Sequence, residues 1–189
     1  MIDADDDTFV KNFIEMANIV TKFALATDAS TDVLLELIIK LITEKFVDIL
    51  DPGRLQEYID TYYNRKYFVS EMNSMSNQWL VVYADDVAVG YAKVTSRGKV
   101  PAVLGQKRAV RIADFSVLSE CTQSEIRESL FEKCLSVCRH VDGIWINEYI
   151  EYPFIDFFES KGFVRQREIS EFDEISLPSC CLIRLNIKN

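Results

Sequence analysis

The sequence predicts a mixed α/β domain: one sheet of paired and alternating strands, covered by helices. Three observations carry this. Two β-rich runs, Trp79 to Tyr83 and Val87 to Val94, stand back to back around Asp85-Asp86, a hairpin signal. After them, β-rich runs alternate with segments of helical period, as in a sheet covered by helices. Finally, 189 residues, 49% hydrophobic and 12% aromatic, supply one sizeable core and fit a single domain.

Taken in order, Phe9, Phe13 and Ala17 have helical spacing and predict a short N-terminal helix. Ile19 to Thr27, rich in Val, Phe and Thr, reads as a first strand, with Asp28 and Ser30 as turn or capping residues. Val33 to Leu50 is a long helix, apolar on most of its surface, broken by Asp51-Pro52-Gly53. Leu55 to Tyr63 is a second helix, with Pro52 near its start. The hairpin follows, then a loop carrying Gly98, Pro101 and Gly105, then a third β-rich run from Ala109 to Leu118. Ile126, Leu130, Cys134 and Cys138, each four apart, mark one face of a helix. Ile144 to Ile146 is a brief strand and Pro153 to Ser160 a helix stopped at Gly162. Phe163 to Ile169 and Cys180 to Ile187 close the sheet. The division is a helical extension over 1–18 and a single domain over 19–189.

Charge narrows the function classes. A net charge of −9 argues against a general nucleic-acid binder, which needs a basic surface. The acidic start, Asp3 to Asp7, lacks the basic patch and apolar run of a secretory signal. Val33 to Ile42, the most apolar stretch, is broken by Glu36 and Lys40, far short of the roughly 20 apolar residues that span a bilayer. The expectation is a cytoplasmic protein, not membrane-bound, a monomer or homodimer. Five cysteines without framework spacing read as buried thiols, and no metal is expected.

Three stretches carry a resemblance. Val89-Gly90-Tyr91-Ala92-Lys93-Val94 is similar to a strand often written V-G-Y-x-K-L. Phe115-Ser116-Val117-Leu118 resembles the strand leading into an acyl-CoA phosphate loop. Phe157-Phe158-Glu159-Ser160-Lys161-Gly162-Phe163 resembles F-Y-x-x-x-G-F. Together these resemble the GNAT superfamily of N-acetyltransferases, in its bacterial, polyamine-acetyltransferase-like subset. The resemblance implies a mixed, mostly antiparallel sheet flanked by helices. It also implies acetyl-CoA or another acyl-CoA as cosubstrate, a small-molecule amine as acceptor, and a cleft between the fourth and fifth strands.

It further implies where the chemistry sits, and there this chain departs from the pattern. The family's R/Q-x-x-G-x-G/A loop holds a diphosphate on backbone N–H groups at a helix start, where the dipole favours an anion. Here the positions aligned with that site are Val117, Thr122, Gln123, Ser124, Glu125, Ile126 and Arg127, and none of the anion-binding residues is kept. Thr122-Gln123-Ser124-Glu125 reads instead as a capping box, with the Thr hydroxyl closing the helix start. Phe158 stands where the family's tyrosine returns a proton to the departing thiolate. Arg111 stands where relatives carry a base-related glutamate; Tyr149, Tyr152 and Asp114 are candidate substitutes. A degenerate loop and a missing acid leave a second reading open, a non-catalytic ligand-sensing or protein-interaction module on the same fold.

Four further features stand out, the first two with two readings each. From Val87 to Ala113 the chain has six basic residues, including Lys99, Lys107 and Arg108, and no acidic one. This is either a solvated hairpin or a surface for an anionic partner. Glu168, Glu171, Asp173 and Glu174 would favour a cationic acceptor if they border its site, or else form an exposed loop. Cys121 precedes a helix start, where a thiol pKa can fall. His140 is expected to interact favourably with the far end of that helix.

Overall fold

The computed structural model describes residues 18–172 and 175–186. Seven strands form one sheet in the order β1-β2-β3-β4-β5-β7-β6. They are β1 (Ile19–Phe23), β2 (Asn77–Ala84), β3 (Val87–Thr95), β4 (Ala109–Val117), β5 (Gly143–Tyr149), β6 (Val164–Phe172) and β7 (Ile175–Leu185). Every neighbouring pair is antiparallel except β4 with β5. The helices are α1 (Asp28–Phe46), α2 (Pro52–Tyr62), α3 (Arg65–Met72), α4 (Ser124–Val137) and α5 (Ile155–Ser160). The expected N-terminal helix over Phe9 to Ala17 lies outside the described residues.

Local chemistry sets most boundaries. The β2–β3 turn places Asp85 and Asp86 at φ 49° and 63°, the two left-handed residues of a tight hairpin turn. Thr27 caps α1, its hydroxyl accepting from the Ser30 N–H, so the helix starts at Asp28, five residues before the expected Val33. The first strand accordingly ends at Phe23 rather than Thr27. Asp51 caps α2 and Pro52 fills its first position, where no N–H is needed. Asn64 caps α3, a two-turn helix the sequence reading passed over.

The two faces of the sheet are covered differently. Thr21 and Phe23 of β1 meet Ser129 and Lys133 of α4, so α4 covers the face bearing Leu80 and Val82. Trp79 and Tyr91 stack on the other face, under Phe68 of α3. α1 is more one-sided than expected: Leu34, Leu37, Ile38, Leu41, Ile42 and Phe46 are buried, while Val33 is exposed. Gly90 is fixed by close approach, since a Cβ there would come 2.7 Å from the Ser116 carbonyl oxygen of β4.

Candidate functional site

The site begins where the sheet comes apart. β4 and β5 pair only from Ala109–Gly143 to Arg111–Trp145. At that point β4 carries a bulge: Lys93 pairs with Asp114 and Val94 with Ile112, leaving Ala113 as the extra residue. The bulge turns two consecutive residues, Ala113 and Asp114, toward the same cavity, while Ile112 and Phe115 stay in the core. Beyond it β4 continues with β3, and β5 continues with β7.

Side chains bridge the split. The Tyr152 hydroxyl donates to the Phe115 carbonyl oxygen (3.1 Å) and lies 2.9 Å from the Ser116 hydroxyl, both on β4. The Lys45 ammonium sits 4.0 Å over the Tyr152 ring and 2.7 Å from Glu148 Oε1 on β5. Lys45 and Glu148 are both buried, and Glu148 also accepts from the Tyr149 N–H at 2.7 Å. Burial pushes the Glu148 carboxyl up and Lys45 pulls it back only in part. Burial, then the Glu148 charge, push the Tyr152 phenol far above its usual range. A phenol shifted upward is a poorer proton donor, so this candidate acid reads better as a bridge than as a catalyst.

One face of the split opens into a cavity of about 1050 Å³. Tyr58, Tyr62, Tyr63 and Tyr67, from α2, its C-cap and α3, form one wall; Trp79 and Trp145 form part of the floor. Glu71 is held between Lys93 (2.8 Å) and Arg97 (2.9 Å) and accepts from Asn77 (2.9 Å). Burial alone would raise its carboxyl, but these partners bring it below the usual value. Arg111 stacks over Trp145 at 4.9 Å. Gly98, at φ 109°, lets the loop pass close to that indole, which a Cβ would approach to 3.2 Å. Asp114 lines the cavity beside the split, and after burial its charge is the next cause raising the Tyr63 and Tyr91 phenols.

The expected phosphate loop is arranged differently from the capping box. α4 starts at Ser124 with Gln123 as N-cap, and Gln123 makes no side-chain cap hydrogen bond. Thr122 is therefore not the cap. Glu125 is exposed and accepts from its neighbour, the Ser124 hydroxyl, at 3.1 Å instead of reaching back over the helix start. Thr122, Gln123 and Ser124 are exposed, Val117 is half-buried, and Ile126 is anchored in the core. Arg127 lies 5.2 Å over the Phe157 ring. A helix start without a side-chain cap keeps donors for an anion, so this end of the site suits a diphosphate better than the sequence implied.

The remaining predicted residues separate. Phe158 is fully buried among Phe115, Phe131, Phe157 and Phe163. The Tyr149 hydroxyl donates to Glu151 at 2.7 Å, which raises its pKa. Burial, then Glu120, push the Cys121 thiol up, opposite to the expected fall. His140 accepts from its neighbour Arg139 at 2.9 Å. Cys134, Cys138 and Cys180 are buried. Of the basic stretch, Lys93, Arg97, Lys99 and Arg111 line the cavity, while Arg108 is held by Asp142. The side chains of Glu168, Glu171, Asp173 and Glu174 lie outside the described residues. Lys45, Glu71 and Glu148 were missed: Glu148 is the one charge in the largely apolar β5, whereas α1 and α3 carry several other charges, so Lys45 and Glu71 did not stand out.

No family model matches the chain. Solved structures do match it. PaiA N-acetyltransferase from Thermoplasma acidophilum, in complex with coenzyme A, is similar over 86% of this chain and 97% of its own, at TM-score 0.66 and 12% identity. A GCN5-related N-acetyltransferase from Rhodopseudomonas palustris matches over 90% and 98%, at TM-score 0.65 and 14% identity. FeeM, an N-acyl amino acid synthase from uncultured soil microbes, matches over 89% and 91%, at TM-score 0.62 and 13% identity. The split sheet, its single parallel pair and the flanking helices thus form the fold of the GNAT N-acetyltransferases.

Proposed function

We propose that the chain is an N-acyltransferase that passes an acyl group from acyl-CoA to a small amine held in the cavity. The β4–β5 split carries this reading, because a thioester entering between the strands would meet an amine beside Asp114. The start of α4, without a side-chain cap, supports it by offering backbone donors to a diphosphate. The coenzyme A bound in the PaiA structure and the N-acyl amino acid synthase activity named for FeeM are consistent with it.

The chemistry needs little more. A free alkylamine holds its proton to about pH 10.4, so the proton must leave before nitrogen attacks the thioester carbon. Asp114, which lines the cavity beside the split, is our candidate to take or relay it. The C–S bond then breaks, and the departing thiolate, of a thiol with pKa about 8.5, needs a proton less urgently than an alkoxide would. Loss of the family's tyrosine therefore slows turnover without forbidding it. Calorimetric titration with acetyl-CoA should give saturable binding, and adding amines should release thiol. Asp114→Asn should lower turnover by about 10²–10⁴-fold with CoA affinity kept. No heat up to millimolar acetyl-CoA would remove the proposal.

Tyr152 favours a second reading. Its hydroxyl occupies the Phe115 carbonyl of β4 inside the split. If that bridge is permanent, the chain is a non-catalytic module that binds ligands in the cavity, and such ligands would bind while acetyl-CoA would not.

A further inference from the structure

The cavity has a charge of its own, opposite to that of the chain. The protein carries −9 overall. Yet among the described residues five cations line the cavity against two carboxylates, Glu71 and Asp114. Glu71 is shared between Lys93 and Arg97, which leaves a net positive charge there. Lys99 adds to it, whereas Arg165 is offset by Glu159 at 3.0 Å. Among the described residues lining the cavity, Asp114 is the carboxylate beside the split. The rest of the lining is rich in aromatic rings, and 1050 Å³ exceeds what a single amino acid fills.

We propose that the acceptor is a carboxylate-bearing amine with an aromatic or apolar body of short-peptide size. Its ammonium lies toward Asp114 and its carboxylate toward Arg97, Lys99 and Arg111. Guanidinium groups suit this because their planar fork matches a carboxylate. The tyrosine wall of α2 and α3 covers the apolar body. This assignment rests on the acyl-transfer reading for the word acceptor, but the binding it requires does not. It also runs against the cationic acceptor that the acidic run over Glu168 to Glu174 would favour.

Both tryptophans of the chain, Trp79 and Trp145, line the cavity, so intrinsic fluorescence reports on its contents directly. The full chain is titrated at pH 7 with phenylalanyl-phenylalanine, its C-terminal amide and spermidine. The free acid should bind at least tenfold tighter than the amide, and spermidine should leave the emission unchanged. Replacing Arg97 and Lys99 together by Gln should weaken the acid by about five- to tenfold and narrow its gap to the amide. An amide or spermidine binding as tightly as the acid, or no response to any of the three, would overturn the assignment. Acid binding without thiol release from acetyl-CoA would leave it standing and remove the transferase reading. Thiol release with spermidine alone would do the reverse.

Discussion

A single side chain decides whether the missing acid can be restored. Phe158 stands, by the resemblance alone, at the family's tyrosine position, and its ring is fully buried in a cluster of phenylalanines. A hydroxyl added there meets rings rather than acceptors. Phe158→Tyr is therefore expected to cost about 1–3 kcal/mol of stability and to leave turnover no higher. Urea unfolding and a thiol-release assay check both halves, and a gain in turnover without loss of stability would contradict the packing described. Glu125 acts on coenzyme A binding through its distance and its solvation. A carboxylate about 5 Å from a phosphate costs roughly 3 kcal/mol at an effective dielectric of 20, but under 1 kcal/mol when fully solvated. Glu125 is exposed and turned to Ser124, so Glu125→Ala should tighten CoA binding by only about fourfold. A hundredfold gain by calorimetry would mean that the carboxylate faces the diphosphate after all. The sequence displayed both residues, yet neither orientation was legible: Thr122 has the identity of a cap, and the chain uses Gln123 instead.

At the scale of elements, a buried charge pair ties α1 to β5 beside the split. Lys45 comes from the last turn of α1 and Glu148 from β5, and both are buried. Removing one partner strands the other charge, so Lys45→Met should destabilise the protein by about 3–5 kcal/mol at pH 8. The sign with pH follows from the raised Glu148 pKa. A carboxyl that titrates higher when folded contributes most below its unfolded value, about 4.3, and loses that contribution as pH rises through the folded one. The penalty of Lys45→Met should therefore shrink as pH is lowered and Glu148 takes a proton, as urea unfolding at pH 8 and at successively lower pH would read. Equal penalties would assign Lys45 a packing role only. The elements themselves were unevenly legible. The hairpin announced itself because Asp85-Asp86 is a local signal. α3 did not: its two turns bury only Phe68, Glu71 and Met72, too short a run for a period to emerge. The split was expected only through the resemblance, which implied a cleft between the fourth and fifth strands; its extent depends on where two strands distant in the chain stop pairing.

Over the whole molecule, the charge has two ranges. The basic asymmetry from Val87 to Ala113 was legible, but not its destination, since four of its six cations face the cavity only after β3, β4 and their loop are folded. A ligand far away meets the net −9, while one inside meets the cations. Coenzyme A, a polyanion, is bound on the acyl-transfer reading at the start of α4 rather than among those cations. Its approach should be governed by the long-range repulsion. The Debye length falls from about 30 Å at 0.01 M salt to about 8 Å at 0.15 M, and salt therefore screens the distant charges first. The association rate of CoA should consequently rise several-fold across that range, the opposite of an electrostatically steered encounter. Stopped-flow tryptophan quenching measures it. A rate that falls with salt would show that the local cations reach past the acidic surface, and would move the entry point of CoA from the α4 start to the cavity mouth.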